Sequence, residues 1–364
     1  MTHVVEPITT LFELKNRTAT VGERPLSTLA FDWLYVLLSL LLTVGIMMDV
    51  WSHLTFGPDQ SIFNEYHLLF YGSMSALLVL LSGLLFNNWR AGYPLGIALP
   101  QGYGAGLLAT ILFSIAGVID LTGHALFGFE SDVEALTSPT HLFLFITWFL
   151  ILFAPVQAAR ARSKALGQSA TFGQSLPMML AYGCMIACIH VPLMIYFPLG
   201  GTQPMMLQMH RPDNDFYGLV MGISGTFLQT AVLLGFALWL IREFKLPRGA
   251  FTVAFGFYGL FLSLLQAWQM PWFMFGSFGL LLDVLYALLT PDATRRVRYI
   301  TFAILGSVLL WAIGYGTFAF IEGGFNTFYY SGYNLYGSIA QATTLTVLLA
   351  YIMSMPAPQK RLED

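Results

Sequence analysis

Ten stretches of roughly 20 predominantly apolar residues recur along this 364-residue chain, each the length a helix needs to cross the hydrocarbon layer of a bilayer. They run over 26–50, 67–85, 103–123, 141–159, 176–197, 217–241, 250–268, 272–289, 299–321 and 334–353. Inside lipid no water satisfies backbone N–H and C=O groups, so spans of this kind are helices. Composition closes off the soluble alternative. Charged residues make up only 10% and apolar ones 57%, too few charges to clothe a surface in water. The expected fold is all-α: a polytopic membrane protein of about ten transmembrane helices, with the lipid bilayer as its first partner. Only Gln269, Met270 and Pro271 separate the seventh and eighth stretches, which admits either a tight hairpin or one long broken helix.

Basic residues orient such a chain, because cytoplasmic loops collect Lys and Arg. Lys15, Arg17 and Arg24 precede the first stretch, Arg90 follows the second, and Arg160, Arg162 and Lys164 follow the fourth. Arg242, Lys245 and Arg248 follow the sixth, Arg295, Arg296 and Arg298 the eighth, and Lys360 and Arg361 the tenth. Arg211 alone falls on the other side. Ten helices with both termini in the cytoplasm preserve this alternation, and an odd number breaks it. The expected organisation is a cytoplasmic segment 1–25, a four-helix unit 26–160, a six-helix unit 161–354 and a cytoplasmic tail 355–364. The mixed charges of the first 25 residues ahead of a long apolar run do not resemble a cleaved signal peptide, so the first helix is expected as a retained anchor. The expected setting is the inner (plasma) membrane of a bacterium. A net charge of −3 without a basic cluster argues against nucleic acid as a partner. The two cysteines, Cys184 and Cys188, are too few for a disulfide scaffold or a Cys-rich zinc site and read as packing residues.

Most of the remaining polar chemistry sits in the non-cytoplasmic connections, and two of these echo each other. Asp49, His53, Phe56, Gly57 and Asp59 are answered by Asp120, His124, Phe127, Gly128 and Glu130 at identical spacing. Each series is followed by a short loop and a His-Leu pair opening the returning helix, His67-Leu68 and His141-Leu142. The two helix pairs run in the same direction, so a parallel repeat about an axis along the membrane normal is expected. Asp and His four apart share one helix face, and the returning helix brings a second imidazole to similar depth. Each repeat thus gathers one carboxylate and two imidazoles at the outer membrane face, donors that suit copper, zinc, iron or manganese. The candidate metal ligands are Asp49, His53, His67, Asp120, His124 and His141. Blander roles exist for the same residues: interfacial histidines, Asp caps on helix ends, a simple Asp–His hydrogen bond, or haem axial ligands.

Other positions carry weaker hints. His190 and the Met-rich loop 204–215 offer imidazole and thioether donors that favour Cu(I), or a segment packing on lipid. Asp283, in an apolar stretch, is either an ion relay or a hydrogen-bonded structural carboxylate. Asp32 reads as a surface residue near the start of the first helix. Glu322 and the aromatic loop 325–333 read as an interfacial belt and a lid over the site.

Asp-x3-His followed, after thirteen intervening residues, by a third ligand His resembles the copper-site motif in the C subunit of membrane-bound methane and ammonia monooxygenases. In that family a second, similar ligand set beginning with Asn lies nearby. Asp49, His53 and His67 match the first set; Asp120, His124 and His141 match the second with Asp in first place and a loop three residues longer. The likeness covers about residues 40–160. It implies copper, with partner membrane subunits and oxygenase-like redox chemistry on O2 or a small apolar substrate. A metal-ion transporter and a metal-handover or structural subunit of a larger complex are the competing functions. Between the repeats, the longer and more acidic second loop, with Asp132 and Glu134, is expected to be the looser, making the Asp49 set the tighter one.

Overall fold

The computed structural model describes residues 24–57, 64–128, 130, 132–167, 169–200, 216–266, 270–324 and 331–355. Among these residues there are eleven α-helices and no strand: α1 (Leu29–Phe56), α2 (Glu65–Arg90), α3 (Tyr103–Phe127), α4 (Asp132–Thr137), α5 (Pro139–Leu166), α6 (Phe172–Leu193), α7 (Phe216–Glu243), α8 (Ala250–Gln266), α9 (Met270–Leu289), α10 (Arg296–Glu322) and α11 (Gly332–Met353). Each of the ten apolar stretches corresponds to one of these helices; α4 is the addition. Among the described residues, nine helices are long and apolar enough to cross a membrane. The exception among the ten is α8, whose 17 residues reach about 25 Å, short of a hydrocarbon layer of about 30 Å.

Two compact units divide the chain. The first joins residues up to Leu193 with Val253–Gly276; the second joins Met194–Thr252 with Ser277 onward. The packing around the first four spans therefore also takes in α6 and most of α8, beyond the 26–160 segment.

In the first unit α1 packs on α2 and α6, α3 on α5, and α5 on α6. Helix α3 shows how the sequence divides its faces. Leu108, Ile111, Ile115 and Val118, spaced three and four apart, stay exposed, while Ala109, Phe113 and Ala116 are buried. An exposed apolar stripe of this kind suits contact with lipid. Gly45 lets α1 and α2 approach closely: a Cβ there would lie 2.8 Å from the Phe70 backbone nitrogen. The α8–α9 pair forms the hairpin, with Tyr258 on α8 packed 4.5 Å from Phe275 on α9.

Asp32 is not a surface residue. It is 3% exposed, ion-paired with Arg162 and hydrogen-bonded by the Tyr103 hydroxyl at 2.6 Å. A carboxylate so buried needs a cationic partner, and Arg162 also donates to Ser27 Oγ at 3.0 Å. Cys184 and Cys188 are buried free thiols on α6.

In the second unit α7, α10 and α11 pack together. Trp311 donates to Thr230 Oγ1 at 2.6 Å, and Tyr299 donates to the Leu238 carbonyl at 2.6 Å. Asp283 resolves as the structural carboxylate: it accepts from the Phe251 and Thr252 amides at 3.2 and 2.8 Å and from the Thr252 hydroxyl at 2.6 Å. Those amides open α8 and lack partners within their own helix, so Asp283 caps it from α9.

Candidate metal centre

The six candidate ligands lie where α1 and α3 end and where α2 and α5 begin, and the two connections start and finish alike. Helix α1 ends at Gly57 (φ 88°, ψ −176°), whose N–H donates to the His53 carbonyl. Helix α3 ends at Gly128 (φ 86°, ψ 177°), whose N–H donates to the His124 carbonyl. Positive φ of this size disfavours any residue with a Cβ, which accounts for glycine four residues after each histidine. On the return, Asn64 accepts from the His67 amide at 2.7 Å and Ser138 accepts from the His141 amide at 3.3 Å. Both histidines thus occupy the third position of a helix whose N-cap side chain binds their backbone.

Between those caps the two clusters differ. Asp120 is buried and lies against both partners: Oδ2 is 3.1 Å from His124 Nε2 and Oδ1 is 3.4 Å from His141 Nε2. The two imidazole rings are 5.9 Å apart. One ligand atom from each of the three residues falls within a 4.8 Å group, the one such His/Cys/Asp/Glu group among the described residues. Ligands of a tetrahedral ion with bonds near 2.0–2.2 Å stand about 3.3 Å apart, the scale of the two contacts that the two Asp120 oxygens make with the imidazoles.

The surroundings orient these ligands. His141 Nδ1 is 2.6 Å from the Ala135 carbonyl. A carbonyl only accepts, so Nδ1 carries the proton and, in the neutral ring, Nε2 turns a lone pair toward Asp120. Two acceptors facing each other require a cation between them or a second proton on the ring. Thr140 donates to Asp120 Oδ1 at 2.6 Å. Glu130 Oε2 stands 2.9 Å from His124 Nδ1. Helix α4 supplies Ala135, and it replaces the loose acidic loop expected there.

In the Asp49 cluster, His67 Nε2 lies 3.0 Å from Asp49 Oδ1, and His53 Nε2 lies 4.0 Å from the same oxygen. The three ligands do not close into a compact group like the Asp120 set. The His53 side chain is 31% exposed against 12% for His124. Asp59, the counterpart of Glu130, lies outside the described residues. Tyr71, one turn below His67, packs its ring 5.9 Å from that imidazole and lies against Gly117, one turn below Asp120. It is within electrostatic reach of both Asp49 and Asp120.

Of the other residues that the sequence singles out, His190 is fully buried and paired with the Tyr258 hydroxyl at 2.8 Å. The Met-rich loop 204–215, the aromatic residues 325–330 and the Glu322 side chain lie outside the described positions. Thr140, Ala135 and Tyr71 had no place in the expected site. Thr140 and Tyr71 had a signal available, one residue before His141 and one helical turn after His67.

Fold and site together define an all-helical, membrane-like protein with one possible Asp-His-His metal-binding group among the described residues. Comparison of the chain with known protein families, with curated proteins and with solved structures finds no match in any of the three.

Proposed function

We propose that this chain is an integral membrane metal-binding protein in which Asp120, His124 and His141 hold one transition-metal ion. Asp49, His53 and His67 form a related and more open second set. The observation that carries this reading is the 4.8 Å convergence of the Asp120 group. The hydrogen bond of His141 Nδ1 with the Ala135 carbonyl adds support, since metal-bound histidines characteristically direct their other ring nitrogen at a carboxylate or carbonyl; Thr140 holds Asp120, and Glu130 Oε2 stands 2.9 Å from His124 Nδ1. The matched glycine and N-cap geometry favours a repeated helix-pair unit. Copper is the first candidate, from the family resemblance, with zinc or iron as alternatives; nitrogen and oxygen donors accept all three. Copper would supply redox chemistry, and a small apolar substrate would reach it through the bilayer.

Elemental analysis of purified protein tests the reading. Near-stoichiometric copper, zinc or iron that survives dialysis, and is lost in His124→Ala, is the expected result. Metal-free wild-type protein after reconstitution with each ion would overturn it. Tightly held, redox-active copper favours an oxygenase-like role; exchangeable metal with uptake into vesicles favours transport.

Charge supports an orientation: Arg24, Arg90, Arg160, Arg162 and Lys164 occupy the ends of α1, α2 and α5 opposite the histidines, or the segment leading into them, which favours an outer, periplasmic position for the cluster. Reporter fusions should read both termini as cytoplasmic, and one outside terminus would reverse this assignment.

A further inference from the structure

Helix α5 carries a proline, Pro155, in its interior. Proline has no N–H, so the carbonyl four residues earlier, that of Ile151, loses its intrahelical donor, and the helix is free to change direction there. The donor comes instead from another helix. Tyr35 on α1 donates its hydroxyl to the Ile151 carbonyl at 3.0 Å, with both residues fully buried. Helix α3 presses on the same point: a Cβ on Gly106 would lie 3.0 Å from the Tyr35 hydroxyl and 3.0 Å from the Ala154 Cβ. Three residues before Ile151, Trp148 donates to Thr43 Oγ1 at 3.3 Å, a second tie from α5 to α1. The direction of α5 past Pro155 is thus held from outside the helix, where α1, α3 and α5 meet. Helix α3 ends on Asp120 and His124, and α5 begins on His141.

We propose that Tyr35 is a positioning residue for the Asp120 centre: its hydroxyl sets the direction of α5 at Pro155 and, through it, the place of His141. The proposal rests on the metal reading above. The lever is long. At 1.5 Å per residue His141 stands about 21 Å from Pro155, so a turn of about 10° there would carry it about 4 Å. That exceeds the 3.4 Å between His141 Nε2 and Asp120 Oδ1. Without the hydroxyl the Ile151 carbonyl becomes a buried acceptor lacking both its intrahelical donor and its replacement. An acceptor left so is costly, and α5 relieves the cost by shifting.

The test is a Cu(II) titration of the full chain in nanodiscs, reading affinity and the electron paramagnetic resonance spectrum. Four proteins are compared: wild type, Tyr35→Phe, Pro155→Ala and the double variant. Tyr35→Phe should weaken the high-affinity step about tenfold and alter the spectrum, the scale of one buried hydrogen bond left unmade. Pro155→Ala restores a backbone N–H and changes the direction of α5, so a similar loss is expected. In the double variant that N–H already serves the Ile151 carbonyl, and binding should be no weaker than in Pro155→Ala alone. Wild-type affinity in Tyr35→Phe, or additive losses of about a hundredfold in the double variant, would overturn the proposal. Tyr299→Phe removes a hydroxyl–carbonyl bond of the same kind in the second unit. It should lower thermal stability and leave Cu(II) binding unchanged; weakened binding there too would mark a general structural effect and overturn the positioning role. If Tyr35→Phe does not fold, Thr43→Val, which removes the second tie, should weaken binding about threefold. Wild-type affinity in that variant would overturn the proposal. Wild-type protein that takes up no Cu(II) removes the metal reading and this proposal with it, whereas Cu(II) bound equally by wild type and Tyr35→Phe removes this proposal alone.

Discussion

The Asp49 and Asp120 clusters begin from one residue pattern and reach different degrees of closure. Both have an Asp and a His one turn apart, a glycine ending the helix, and a histidine held by an N-cap at the third position of the returning helix. The Asp120 ligand atoms converge within 4.8 Å and those of the Asp49 set do not. After α3 the connection contains α4 and brings Glu130 and the Ala135 carbonyl up to the two imidazoles, whereas residues 58–63 after α1 lie outside the described residues. Matching ligands are therefore not enough to make matching sites. The groups behind the ligands decide whether the nitrogens point at a shared centre.

The sharpest way to break this comparison is a metal titration of ligand variants. His141→Ala should abolish tight binding, because it removes one of three ligands and takes a partner from Asp120. His67→Ala should leave most of the high-affinity metal in place. Glu130→Gln should fall between, with affinity down about 10- to 100-fold, the usual range for an outer partner of a metal-bound histidine. Greater loss from His67→Ala than from His141→Ala would invert the ranking, and equal total loss would mean one shared dinuclear centre. A smaller effect separates the caps. Ser138→Ala and Asn64→Ala should each lower thermal stability by about 1 kcal/mol. Ser138 also contacts the Thr140 hydroxyl at 3.2 Å, and Thr140 donates to Asp120. Ser138→Ala should therefore weaken metal retention as well, whereas Asn64→Ala should change stability alone. Identical metal affinity in the two cap variants would show that Thr140 does not depend on its neighbour.

Much of this architecture is legible in the residues because lipid is an exacting solvent. A helix must keep about 20 apolar residues together to cross it, so the ten stretches stand out without any knowledge of packing. The candidate ligands stand out for a related reason: Asp, His and Gly recur in order at positions where an apolar run ends. What stayed hidden depends on partners distant in sequence or on very short structure. Asp32 finds Arg162 130 residues away, and nothing near either residue announces the pair. Asp283 caps a helix that begins more than thirty residues earlier. Helix α4 has six residues, too few for a periodic pattern, so its acids read as a loose loop when the segment instead orders His141.

Gly128 and Ser138 bracket the chain where it leaves α3 and enters α5. Among the described residues between them, Glu130 and Ala135 face the two imidazoles, while Asp120, His124 and His141 lie outside the bracketed stretch. On the proposed reading, ligation and tuning are thus written in separate stretches of the chain. If the proposed site holds a metal, replacing the stretch between the brackets would revise metal preference or potential while Asp120, His124 and His141 stay untouched.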